Sequence, residues 1–118
     1  MEALAVIDRG WRLHGGLEGW RRVTGISRHA LACVSLLTWI HPDDALALRE
    51  LARGQAKELV RMGAFEARSV VELEVGSWTP EGFAPIVARP VVPLDVSAWW
   101  VPVHRLAGLG AMPSTILA

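Results

Sequence analysis

His41-Pro42-Asp43-Asp44 decides how this chain is read. It closes an apolar stretch, Ala30 to Ile40, and opens a run whose spacing predicts one long helix from Pro42 to Met62. Proline suits a first helical turn, because its absent N–H would find no partner there and its φ is already close to helical. The two aspartates behind it stand where the macrodipole favours negative charge and unpaired amides need acceptors. Leu46, Leu48, Leu51, Leu59 and Met62 supply the apolar face of this helix. Arg49, Glu50, Arg53, Lys57, Glu58 and Arg61 supply a solvated one. Gly54, costing about 1 kcal/mol relative to alanine in a helix interior, marks a kink or a close contact, and Gly63 is the natural stop.

On the N-terminal side, Leu4-Ala5-Val6-Ile7 reads as a strand ending in the turn Asp8-Arg9-Gly10, and Trp11-Arg12-Leu13-His14 as its hairpin partner. Leu17, Trp20 and Val23 recur at a spacing of three, which predicts a short helix before Thr24-Gly25. Ser27 is a good N-cap for a second short helix, and a third is expected within Ala32 to Ile40. On the C-terminal side the period changes to two. Ser69, Val71, Leu73 and Val75 share one parity, while Val70, Glu72 and Glu74 share the other, as in a half-buried antiparallel strand from Phe65 to Val75. Pro80-Glu81-Gly82 supplies turn chemistry. A second strand follows from Phe83 to Leu94, with Ala84, Ile86, Ala88, Pro90 and Val92 inward; Pro85, Pro90 and Pro93 there demand an edge, a bulge or a strand end. Ala98 to Leu106 is expected to be a last strand with Trp99 and Trp100 on opposite faces, and residues 107–118 a tail or the start of a linker.

Composition narrows the function. The chain has 118 residues, enough for one core, and 12 basic against 12 acidic side chains, with no block of like charge. A nucleic-acid binder shows a basic face, so no nucleic-acid partner is expected. The most apolar stretch, Ala30–Ile40, is far short of the roughly 20 residues a membrane span needs. No signal peptide is visible. The single cysteine, Cys33, cannot form an internal disulfide and fits a reducing, cytoplasmic compartment.

The order of elements, carrying these residues, resembles the PAS domain family over residues 3–106. Val6-Ile7-Asp8-Arg9-Gly10 is similar to its first-strand hydrophobic-Asp-x-x-Gly hairpin. Trp20-Arg21-Arg22-Val23-Thr24-Gly25-Ile26-Ser27 is similar to its Thr-Gly-Tyr-Ser helix and turn. Trp39-Ile40-His41-Pro42-Asp43-Asp44 resembles the His-Pro-Asp-Asp signature at the start of its longest helix. Glu66-Ala67-Arg68 resembles a third-strand Glu-x-Arg, and Glu81-Gly82 an Asp-Gly hairpin. The resemblance implies an α+β fold: a PAS-like five-stranded antiparallel sheet with short helices and one longer helix over one face, and a pocket between them.

It also implies a bacterial, cytoplasmic sensory module for signal transduction, binding a small apolar or aromatic ligand, forming a homodimer and regulating an attached histidine kinase or diguanylate cyclase of the two-component kind. The alternative is a ligand-free dimerisation or protein-interaction module. Neither is an enzyme, and the serines show no Gly-x-Ser-x-Gly context. Parity and the resemblance place Cys33, Leu37, Leu48, Leu51, Val71, Ile86, Ala88 and Trp99 around the pocket. Cofactors are not expected. The long run holds no histidine for a haem iron, and Cys33 lies in Ala-Cys-Val-Ser, unlike the flavin-reactive Asn-Cys-Arg-Phe-Leu-Gln, so it is expected to be a buried structural thiol. His41 with Asp43 and Asp44 is expected to open the helix by satisfying backbone groups, since one histidine without further ligands is not a metal set. Small inward residues, Ala67, Ser69, Ala84 and Ala88, leave room for a ligand.

Overall fold

The computed structural model describes residues 1–51, 56–64, 67–95 and 97–106. In chain order these form β1 (Ala3–Asp8), β2 (Leu13–His14), α1 (Leu17–Thr24), α2 (Arg28–Cys33), a 3-10 turn (Leu36–Trp39) and α3 (Pro42–Leu51). Then follow β3 (Ala56–Ala64), β4 (Ala67–Val75), β5 (Phe83–Pro93) and a second 3-10 turn (Ser97–Trp100). The five strands make one antiparallel sheet in the order β2-β1-β5-β4-β3.

Each helix starts where its local chemistry allows. The Ser27 hydroxyl accepts the Ala30 amide at the head of α2. Gly25 closes α1 at φ 76°, its amide donating to Arg21 O. At α3, the His41 carbonyl accepts the Asp44 and Ala45 amides, both at 2.9 Å, and the Asp43 amide donates to His41 Nδ1 at 3.2 Å. The sequence between Ile40 and Asp44 does open a helix by satisfying backbone groups.

The helices cover one face of the sheet. Ile7 of β1, Ile86 and Ala88 of β5, Val71, Leu73 and Val75 of β4, and Val60 and Met62 of β3 are buried there. Against them pack Trp20 and Val23 of α1, Leu31 of α2, Leu36, and Leu48 of α3. On β4 and β5 the expected parity is observed at Val71, Leu73, Val75, Ala84, Ile86 and Ala88. It lapses beyond Ala88, where Pro90 is exposed and Val92 half-buried rather than inward. A register shift between Val70 and Val71 falls opposite this proline-rich stretch, and Pro93 ends the strand, as residues without an amide donor require.

Two elements differ from expectation. The long helix is short: α3 spans Pro42–Leu51, and Ala56–Ala64 is an edge strand paired along its length with β4. The expected last strand, Ala98 to Leu106, is instead the Ser97–Trp100 turn followed by a helical turn at 103–106. The count of five strands therefore holds because β3 replaces it. Glu66 and Gly54 lie outside the described residues, as do residues 107–118. Ala67 and Arg68 start β4 rather than a third strand, and Glu81-Gly82 turns between β4 and β5.

Candidate functional site

Two places bring side chains together in a way the sheet alone does not require. The first is the interior between helices and sheet. Of the residues expected to line a pocket, Leu48, Val71, Ile86 and Ala88 are buried in the core, and Leu37 is half-buried against it. Their strands place them side by side: Val71 pairs with Val60, Ile86 with Val75 and Ala88 with Leu73. Leu51 ends α3, and its side chain lies outside the described residues. Two residues do not belong to this group. Cys33 is exposed rather than buried, because it sits on the outer side of α2 with its Sγ 3.5 Å from His29 Nε2, one helical turn back. Trp99 lies on the 3-10 turn after β5, outside the core cluster.

The interior holds two polar atoms the sequence did not single out. Trp20 is fully buried, and its indole Nε1–H has no hydrogen-bond partner among the described residues. The Ser69 hydroxyl is buried and unpartnered as well, on the helix side of β4 opposite Met62. An unpaired buried donor costs on the order of 1–3 kcal/mol.

The second place is the opposite end of the chain path, where α3 meets β3. Ile40 bridges to Met62, and the His41 amide donates to Arg61 O at 2.8 Å, so the chain runs along the edge of β3 before turning into the helix. Arg61 is 4% exposed and Asp44 7%. The guanidinium donates through Nε to Asp44 Oδ2 at 2.8 Å and through Nη2 to Oδ1 at 2.9 Å, a bidentate fork. Its Nη1 donates to the carbonyls of Trp99 at 3.0 Å and Val101 at 2.9 Å. Arg61, expected on a solvated helix face, is thus the buried junction of three segments. The Asp44 carboxylate holds its pKa above the ordinary arginine value, outweighing the cost of burial.

The C-terminal segment is drawn over this end of the outer sheet face. The Arg68 guanidinium lies 4.8 Å from the Trp99 ring centre. Val70, paired with Arg61, and Leu106 are fully buried yet outside the main core. The His41 ring stands 5.1 Å from Trp99 and 5.6 Å from Trp100. Because His41 Nδ1 accepts the Asp43 amide, the neutral ring carries its proton on Nε2, which is buried and unpartnered among the described residues.

Burial, and then the neighbouring Arg61 cation, push the His41 pKa below 6.5, against smaller opposing effects of Asp44 and Asp43. With the folded value depressed, the unfolded chain binds more protons between the two values. Stability is therefore fully present above about pH 6.5 and falls as pH drops through the folded value. His41→Gln, which cannot titrate, should lose less stability than the wild type between pH 7.5 and pH 5. Urea unfolding at the two pH values reads the difference, and equal losses would remove His41 as its source.

No family model and no curated protein matches the sequence. Solved structures do match the fold. The PAS domain of the Cronobacter turicensis RpfR quorum-sensing receptor, in complex with C12:0, is 11% identical with a TM-score of 0.59, over 77% of this chain and 94% of that one. A PAS domain from a two-component sensor histidine kinase is 21% identical with a TM-score of 0.58, over 75% and 84%. The PAS domain of an HTR-like protein from Haloarcula marismortui is 11% identical with a TM-score of 0.53, over 80% and 81%. The chain has the PAS fold, with helices on one face of a five-stranded antiparallel sheet. Among the described residues no helix is long and apolar enough to cross a membrane.

Proposed function

We propose that this domain is a sensory module that takes a small, largely apolar ligand with one hydrogen-bond acceptor between its helices and sheet, and regulates an attached output domain. The observation that carries the reading is Trp20: a fully buried indole whose N–H has no partner among the described residues, in a largely apolar interior whose other unpaired polar atom is the Ser69 hydroxyl. Such a donor supplies the single polar contact that orients a hydrophobic ligand. A neighbour in fold is described in complex with C12:0, which makes saturated fatty acids the first probes. Output domains of the histidine kinase or diguanylate cyclase type suit such a module.

A ligand that binds only the folded state stabilises it by about 2.7 kcal/mol at a hundredfold excess over Kd. Octanoate, decanoate, dodecanoate and tetradecanoate should each raise the melting temperature, with an optimum chain length. Trp20→Phe, which keeps an aromatic, apolar side chain of smaller size and loses the donor, should reduce the shift. No shift with any chain length, together with no small molecule released on denaturing the purified protein, would overturn the reading.

A ligand-free dimerisation module is the second reading, and the outer face of β1 and β5 motivates it. Leu4, Val6 and Phe83 are 65%, 38% and 39% exposed. The register places Leu4 beside Val87 and Val6 beside Pro85, a continuous apolar stripe. Light scattering of wild type and Leu4→Glu distinguishes it: this reading expects a dimer that the substitution splits, and a wild-type monomer contradicts it.

A further inference from the structure

We propose that residues 97–106 form a strap that reports the position of α3, with Arg61 as the coupling residue. The inference rests on the sensory reading above and gives it a mechanical link. One guanidinium holds both partners at once. Its Nε and Nη2 grip Asp44 in the first turn of α3, and its Nη1 grips the Trp99 and Val101 carbonyls of the strap. Asp44 also accepts the Arg61 backbone amide at 2.8 Å, which fixes the carboxylate against β3 as well.

The geometry makes this a choice between two arrangements rather than a continuous adjustment. The guanidinium is planar, with donors in a fixed fork. All four side-chain bonds measure 2.8 to 3.0 Å, and such bonds fail beyond about 3.5 Å. A displacement of the α3 N-terminus by roughly 1 Å therefore leaves the fork unable to serve carboxylate and carbonyls together. The buried carboxylate is the stronger partner, because a charged pair parted inside the protein leaves two unpaired charges. The carbonyl bonds are the ones that give way, and the strap loosens. Arg68 over Trp99 and the buried Leu106 hold the strap independently, so the second arrangement is a loosened strap rather than a released one. A ligand that packs differently against α3 in the two arrangements shifts the population of the docked strap.

Hydrogen exchange on the full chain without ligand tests the link separately from ligand binding. The reporters are the Val101, Arg105 and Leu106 amides, which donate to Ala98 O and Pro102 O within the strap. Two variants remove the grip differently. Arg61→Lys keeps the charge for Asp44 and loses the fork. Asp44→Leu combined with Arg61→Met replaces the pair by apolar groups, an exchange that buried pairs tolerate. In each, the reporters should exchange at least tenfold faster while β4 and β5 amides keep their protection.

Leu48→Ala, which opens space beneath α3, should speed strap exchange in the wild type and add little in the Arg61→Lys background. Unchanged strap protection in both Arg61 variants would overturn the proposal. So would a Leu48→Ala effect as large in the Arg61→Lys background as in the wild type. Because no ligand enters this experiment, its failure leaves the fatty-acid result standing, and a negative fatty-acid result leaves the strap standing.

Discussion

Asp44→Ala is expected to lower the free energy of unfolding by about 3–5 kcal/mol, the cost of removing one partner of a buried ion pair. The wild-type carboxylate receives both arms of the Arg61 fork and the Arg61 amide. Its loss strands a guanidinium that is 4% exposed. Native domains hold only about 5–15 kcal/mol in all, so this loss should lower the urea midpoint severely. Asp43→Ala, one residue earlier on the exposed side of the same turn, should cost less than about 1 kcal/mol. Urea unfolding of the two variants checks the contrast. Similar losses would mean that the Asp44–Arg61 pair is not the buried junction described.

Gly16→Ala has the second largest expected effect, and its cause is backbone geometry. Gly16 sits at φ 65° just before α1, and a Cβ there would lie 1.9 Å from Leu4 O. The left-handed conformation costs about 1–2 kcal/mol for any other residue. The overlap adds a further ~1–3 kcal/mol, as overpacking does when the neighbour is backbone and cannot rotate away. Relief requires moving β1 or tilting α1, and either loosens the seat of Trp20. The expected result is a large fall in the urea midpoint together with weaker protection of the α1 amides. Gly15→Ala serves as the control. Its added Cβ would meet nothing within 4 Å, although its φ is 80°, so it should lose only the conformational share.

Much of this architecture is written locally. The β1–β2 hairpin, the Ser27 cap and the His41-Pro42-Asp43-Asp44 opening each satisfy backbone groups with neighbouring residues, and all are found where the sequence puts them, except that the second strand of the hairpin is shortened to Leu13–His14 because Trp11 turns at φ 60°. So does the alternation from Val71 to Val75, one side facing the core and the other water. β3 was hidden for a physical reason. Alternation reports burial on one face only, and β3 has its outward Arg61 covered by the strap while Glu58 stands on the inward parity. What remains in its sequence is Leu59 and Met62 at a helical spacing of three, which imitates an extension of α3.

The interior residues Leu48, Val71, Ile86 and Ala88 could be found by parity because their burial depends on regular elements. Trp99 could not, since it belongs to a turn whose path is set by contacts with Arg61, Arg68 and His41 far away in sequence. The same holds for Asp44 and Arg61. Either looks like an ordinary solvated charge until the strand that carries the arginine is placed beside the helix that carries the aspartate.

The sensory reading is tested most directly at the Trp20 indole. In a two-dimensional nitrogen–proton spectrum its Nε1–H resonance is assigned by its disappearance in Trp20→Phe. Titration with dodecanoate should move that resonance downfield to a saturating end point, as a free buried donor gains an acceptor. A Trp20 resonance that stays in place at saturating dodecanoate, or that moves no more than those of the other tryptophans, would contradict a ligand oriented by this residue.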